Sequence, residues 1–104
     1  SNTDVDSVWK SLTMLFYTGN FYGAQNELDI SNMLLQSLIN LSSQRHVTFY
    51  VARAQYHLAL NEQASHGYSE HVQELLNDAA AFARFNKNQN LIKQIDQIEQ
   101  NSQK

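Results

Sequence analysis

The sequence predicts an all-α protein, and three observations support this prediction. The chain contains no proline, and its glycines (Gly19, Gly23 and Gly67) lie at only two places, so long segments are free of helix breakers. Apolar residues recur along these segments at intervals of three and four, as on one face of an α-helix. The hydrophobic fraction of 42% and the aromatic fraction of 11% are sufficient for a folded core. With 104 residues, we expect a single domain over residues 1–104.

The first part of the chain predicts a helical hairpin over residues 4–41. Its first helix covers residues 4–18, where apolar and aromatic side chains follow helical spacing, and its second covers residues 22–40. Gly19-Asn20 is predicted to form the turn between them. Ala24 is a small residue at which the two helix backbones are expected to approach closely.

The middle of the chain predicts a second hairpin over residues 44–85. Its first helix, over residues 44–63, has apolar residues on two faces, so we expect it to pack between neighbours in the middle of a stack. A turn is predicted over residues 64–67, and Ser69 is a suitable cap for the helix that follows, over residues 69–85.

A last helix is predicted over residues 88–101, after a break at Asn86–Asn88. It has one narrow apolar stripe, and its other positions are mostly polar. A single stripe is typical of the terminal capping helix of a repeat stack, because one side of that helix faces solvent. The stripe consists of Leu91, Ile95 and Ile98.

The two hairpins show a weak internal repeat that resembles a known family. Phe21–Leu28 aligns with Tyr68–Leu75, and in both segments an aromatic residue precedes a helix that carries Glu-Leu. A period of about 40–50 residues built from helix pairs is typical of an α-solenoid. The first hairpin resembles a tetratricopeptide repeat, and its long helices resemble the variant found in signal-responsive bacterial transcription regulators. The residues that carry this resemblance are Trp9, Leu12, Phe16, Tyr17, Gly19, Asn20, Phe21 and Ala24.

The resemblance implies antiparallel hairpins stacked as a short solenoid of about five helices, and a role in binding rather than catalysis. In such a stack the first helix of each pair lines the concave face, where a peptide or partner helix binds. The alternative, that the same residues form only surface and inter-repeat packing, stays open. The residues expected on this face are Lys10, Met14, Tyr17 and Thr18 from the first helix, and Tyr50, Arg53 and His57 from the third.

Other function classes are disfavoured by composition and spacing. The net charge of −3 and the scattered basic residues argue against nucleic acid as a partner of this domain. The four histidines lack acidic or thiol neighbours at ligand spacing, so we predict no metal site. Without a nucleophile elbow or a Gly-rich phosphate loop, we predict neither an enzyme nor a cofactor. No apolar run approaches the ~20 residues of a membrane span, and no signal-peptide pattern begins the chain, so we expect a cytoplasmic protein without membrane contact.

The leading hypothesis is therefore a non-catalytic module that binds a protein or peptide partner. One alternative is a regulatory or dimerisation domain of a bacterial transcription regulator, and another is a secretion-type chaperone. Two hairpins are fewer than the three repeats that a solenoid usually needs, which favours a homodimer or a larger parent protein. Ser1-Asn2 is typical of a cleaved purification tag, so we expect the chain to be a fragment of a longer protein.

Overall fold

The computed structural model describes the backbone of residues 2–102 and the side chains of residues 5–102. This part of the chain forms five α-helices and no strand, which confirms the predicted all-α fold. In chain order the helices are α1 (Asn2–Ala24), α2 (Leu28–Gln44), α3 (Thr48–His66), α4 (Glu70–Phe85) and α5 (Gln89–Ser102).

Each helix packs against the next along the chain, and α1 also contacts α3. The connections are only three residues long, so consecutive helices are antiparallel neighbours. The molecule measures 50 × 30 × 19 Å, and its radius of gyration of 13.8 Å exceeds the about 13 Å of a compact domain of this size. The helices therefore form a flat, elongated stack.

The central position of α3 explains its two apolar faces. Tyr50 and Ala54 belong to a core cluster shared with α1 and α2, whereas Ala52 and Ala59 belong to a second cluster shared with α4 and α5. This arrangement confirms the prediction that the third helix lies in the middle of the stack. Phe49, at the start of α3, is partly exposed.

The predicted turn at Gly19-Asn20 is wrong, because α1 continues through it to Ala24. Both glycines of this segment face α2. A Cβ atom on Gly19 would lie 3.0 Å from Cδ2 of Leu35, and one on Gly23 would lie 3.1 Å from Oγ of Ser31. Close packing of α1 on α2 thus explains the glycines, and this packing outweighs their low helix propensity.

Ala24 is also not at the helix contact predicted for it, because its side chain is exposed at the end of α1. The observed turn is Gln25–Glu27, and α2 begins at Leu28 rather than near residue 22.

Three of the four turns share one hydrogen-bond pattern. In each, the middle residue has a left-handed backbone conformation, with φ of 62° at Asn26, 59° at His46 and 58° at Lys87. The next residue donates its N–H to a carbonyl of the last helical turn, as in Val47 to Ser42 at 2.8 Å. This pattern is the Schellman motif, which satisfies the free carbonyls at a helix end.

The fourth turn follows α3 and begins at Gly67, which has a φ of 77°. Ser69 caps α4 as predicted, since its Oγ accepts a hydrogen bond from the N–H of Val72 at 3.2 Å. The predicted break at Asn86–Asn88 is confirmed as the α4–α5 turn.

The last helix packs on the stack through a single stripe, as predicted for a capping helix. Leu91 and Ile95 are buried and Ile98 is half-buried, whereas most of the remaining side chains of α5 are exposed and polar. Within residues 2–102, no helix combines the length and the hydropathy that crossing a bilayer requires.

Candidate functional site

The inner groove is a depression of about 220 Å³ formed where α1, α3 and the start of α5 meet. The turn between α4 and α5 contributes Asn88 to its edge. Because these segments are far apart in sequence, only the stacking of the helices brings the side chains together. The residues that line it are Phe16, Arg53, Tyr56, His57, Asn88, Asn90, Leu91 and Gln94.

Aromatic rings form the wall of the inner groove between α1 and α3. The ring of Phe16 lies 5.5 Å from that of Tyr50 and 5.6 Å from that of His57, and the rings of Tyr56 and His57 are 5.3 Å apart. All of these distances are within the range of favourable edge-to-face packing. The wall is therefore held by ring contacts across two helices.

Tyr50 supports this wall from inside the protein. Only 7% of the residue is exposed, and its hydroxyl is hydrogen-bonded to Oγ1 of Thr13 on α1 at 2.7 Å. A hydroxyl removed from water needs such a partner. Tyr50 was expected on an exposed concave face, but the structure buries it and it does not line the inner groove.

Arg53 is the one cationic side chain on the described lining of the inner groove. Its guanidinium carbon lies 3.6 Å from the centroid of the Phe49 ring, and Nη1 donates to the Phe49 carbonyl at 3.2 Å. Burial lowers the pKa of Arg53 and the nearby Tyr50 opposes this shift, but a guanidinium stays protonated in proteins. None of the described lining residues is acidic, so the positive charge is presented to whatever occupies the groove.

His57 lies between the rings of Phe16 and Tyr56 on the groove wall. Burial lowers the pKa of this imidazole. Since the ordinary value is about 6.5, His57 is neutral at pH 7 and adds no charge to the groove.

The structure separates the residues predicted for the concave face. Arg53 and His57 line the inner groove, whereas Lys10, Met14 and Tyr17 are exposed on α1 outside its lining. Thr18 is half-buried on the same helix.

Sequence reasoning did not predict the other six lining residues, which are Phe16, Tyr56, Asn88, Asn90, Leu91 and Gln94. Phe16 was expected only as part of the repeat-like hairpin, and Leu91 only in the packing stripe of α5. The amides of Asn90 and Gln94 could have been predicted from the sequence. Asn90, Gln94, Gln97 and Asn101 recur at intervals of three and four, which place them on one face of α5.

Two of the histidines outside the groove lie near an acidic side chain on their own helix, contrary to the expectation from the sequence. Nδ1 of His66 lies 3.3 Å from Oε1 of Glu62, and Nδ1 of His71 lies 4.0 Å from Oε2 of Glu74. In the part of the chain that the structure describes, no group of three or more His, Cys, Asp or Glu side chains is arranged to hold a metal ion.

Comparisons with known protein families, with curated proteins and with solved structures find no match to this chain. The resemblance to tetratricopeptide repeats therefore stays a prediction that depends on the residues named above.

Proposed function

We propose that this chain is a non-catalytic interaction module that binds an extended peptide segment of a partner protein in the inner groove. The observation that carries the proposal is the composition of the groove. Aromatic rings, the guanidinium of Arg53 and the amides of Asn90 and Gln94 lie around one depression, and none of its described lining residues is acidic.

Each part of this lining complements a different part of a peptide. The amides of Asn90 and Gln94 each offer N–H donors and a carbonyl acceptor, as the peptide backbone does. The rings of Phe16 and Tyr56 offer apolar contact to side chains, and aromatic residues contribute strongly to binding energy at interfaces. Arg53 favours a carboxylate, because its planar guanidinium can donate two parallel hydrogen bonds. The preferred peptide is therefore neutral or acidic.

In this proposal the stack is a tetratricopeptide-like solenoid, and α1, α3 and α5 are the inner helices. Two of these helices are joined by ring contacts, so the aromatic wall is formed before the peptide arrives. A preformed site loses less conformational entropy on binding.

Selection from a library of random heptapeptides displayed on phage tests the proposal. We expect selected peptides to carry a carboxylate, and Arg53→Ala to weaken their binding by roughly 10-fold or more, since charge-assisted hydrogen bonds contribute about 1.5–3 kcal/mol. Isothermal titration calorimetry with one selected peptide measures the change.

Lys93→Ala is the matched control, because Lys93 is an exposed cation on α5 that does not line the groove. Equal losses for the Arg53 and Lys93 variants would show that overall charge, and not the groove, controls binding. Unchanged binding by Arg53→Ala would refute the assignment of the groove.

Self-association is a second candidate function, consistent with a regulatory or dimerisation domain. It is favoured by an exposed apolar stripe on α1, where Met14 is 69%, Tyr17 66% and Phe21 59% exposed. Helical spacing places these three side chains on one face. Large apolar side chains that are grouped on one surface commonly mark an interaction site.

Sedimentation equilibrium tests this second candidate. We expect the wild-type chain to form dimers and Phe21→Asp to be monomeric, because the new carboxylate would lose its hydration in an apolar interface. Gln36→Asp introduces the same charge at an exposed position of α2 and serves as the control. A wild-type chain that is monomeric at all concentrations would contradict this function.

A further inference from the structure

A second depression, which we name the polar cavity, adjoins the inner groove. It measures about 360 Å³ and lies where α1 and α3 end and α2 begins. His57 lines both the polar cavity and the inner groove, so the two spaces adjoin at this residue. The function proposed above makes no use of this cavity.

A buried hydrogen-bond network fixes one wall of the polar cavity. Asn61 is 7% exposed, and its Nδ2 donates both to Oγ of Ser31 at 2.8 Å and to Oδ1 of Asn32 at 2.9 Å. The hydroxyl of Ser31 in turn donates to the carbonyl of Gly19 at 2.7 Å. Because both N–H groups of Asn61 are engaged, its Oδ1 is left as a hydrogen-bond acceptor.

Two side-chain carbonyl oxygens belong to residues that line the cavity. Oδ1 of Asn20 is buried and has no hydrogen-bond partner among the described residues. Oδ1 of Asn61 lies beside Gly23, where an added Cβ atom would come within 3.3 Å of it. The Asn20 oxygen has almost no accessible surface, so the Asn61 oxygen is the acceptor offered to a ligand that carries an N–H or O–H group.

The rest of the lining restricts the ligand further. Leu28 and Leu60 provide apolar surface, with Ala24 and Ala64 beside them. None of the described lining residues is Asp, Glu, Lys or Arg, so a charged ligand would lose its hydration without gaining a counter-ion. A carboxylate also has no N–H or O–H group to donate to the Asn61 oxygen.

We propose that the polar cavity holds a neutral aromatic side chain with a single hydrogen-bond donor, of the tyrosine class, from the peptide bound in the inner groove. Its ring packs on Leu28 and Leu60, and its hydroxyl donates to Oδ1 of Asn61. Amphipathic rings of this kind combine a large apolar body with a polar tip, as this lining requires. The peptide part of this inference rests on the proposed function, whereas the chemistry of the cavity stands independently of it.

Two small probes that differ by one hydroxyl test the inference. N-acetyltyrosinamide and N-acetylphenylalaninamide are titrated separately into the ¹⁵N-labelled chain, and amide and side-chain resonances are followed by NMR. We expect the tyrosine probe to shift the signals of Asn20, Gly23 and Asn61 with saturation, and to bind roughly 10-fold more tightly than the phenylalanine probe.

Ala64→Leu narrows the cavity and should abolish these shifts. Ala81→Leu, at an exposed position of α4, is the matched control and should leave them unchanged. The inference is overturned if the two probes bind equally, or if the tyrosine probe leaves the Asn20, Gly23 and Asn61 signals unmoved.

The same titration separates this inference from the proposed function. If the tyrosine probe fills the cavity but no heptapeptide binds the groove, the cavity assignment stands and the peptide function fails. If a selected peptide binds through Arg53 but none of its residues shifts the cavity signals, the peptide function stands and the cavity assignment fails.

Discussion

Asn26, His46 and Lys87 adopt a left-handed backbone conformation at the turns, although none of them is glycine. This conformation costs a residue with a Cβ atom roughly 1–2 kcal/mol, and asparagine tolerates it best. At His46 and Lys87 the Schellman hydrogen bonds of the turn offset this conformational cost. The turn lets the chain reverse direction between two helices within three residues.

His46→Gly should therefore stabilise the protein by about 1 kcal/mol, because glycine adopts the left-handed conformation without strain. Urea denaturation followed by circular dichroism measures the free energy of unfolding. Arg45→Gly is the control, since the neighbouring Arg45 has a φ of −100° and should gain nothing. Equal effects of the two substitutions would contradict this account of the turn.

At the scale of the helix, α5 is held by few buried side chains. Leu91 and Ile95 contact the cluster that includes Val72, Leu76 and Ala79 of α4, and the remaining face of α5 is polar. Two amides of the inner groove, Asn90 and Gln94, belong to α5. The packing of this helix therefore positions one side of the proposed peptide site.

Ile95→Ala should destabilise the protein by about 2–4 kcal/mol, because it removes a fully buried side chain and leaves a cavity. Hydrogen exchange should show the largest loss of protection in α5. Gln97→Ala, on the exposed face of the same helix, should change the free energy of unfolding by less than about 0.5 kcal/mol. A uniform loss of protection over all helices would mean that α5 unfolds only together with the whole stack.

At the scale of the whole molecule, His57 lies between the inner groove and the polar cavity. Its ring belongs to α3 and packs on Phe16 of α1, and the depressions on both sides of it include residues from α1, α2 and α5. Protonation of this ring would place a charge close to Arg53, which lies one turn earlier on α3 and also lines the inner groove.

The stability of the molecule should consequently fall when the pH falls below about 6.5, the ordinary pKa of histidine. Burial lowers the pKa of His57, so the unfolded chain binds this proton more readily than the folded one. The loss of stability begins as the pH falls through the pKa of His57 in the unfolded chain. It is complete once the pH has passed the lower pKa that His57 has in the folded chain. Above the unfolded value, this group causes no dependence on pH.

Urea denaturation between pH 7.5 and pH 5 measures this effect. These limits lie about one pH unit or more above and below the ordinary pKa of histidine. His57→Gln should flatten the dependence, because glutamine does not titrate. His46→Gln, at an exposed position, should retain the wild-type slope. A wild-type slope in His57→Gln would assign the dependence to other groups.

The helices and the central position of α3 could be predicted because they follow from local spacing. Apolar residues on two faces of α3 require two neighbours, and the single stripe of α5 requires one. The turn at Asn86–Asn88 and the cap at Ser69 were also predictable, since the chemistry of both depends on a few adjacent residues.

The groove was less predictable, because its lining combines residues from three distant segments. Arg53 and His57 were expected there, but Phe16 and Tyr56 were not. A ring on a helical stripe has the same spacing whether it faces the core or the edge of a groove.

The sequence by itself determined that this chain is all-α, where most of its helices lie, and which helix is central, because these properties depend on spacing within each segment. Only the tertiary structure decided the role of Gly19 and Gly23. In isolation they indicate a turn, yet the contact of α1 with Leu35 and Ser31 on α2 keeps them helical. The packing of α3 on its neighbours places Asn61 beside Ser31 and puts Arg53 and the α5 amides around one groove. Both candidate sites thus arise from contacts between segments that local spacing does not encode.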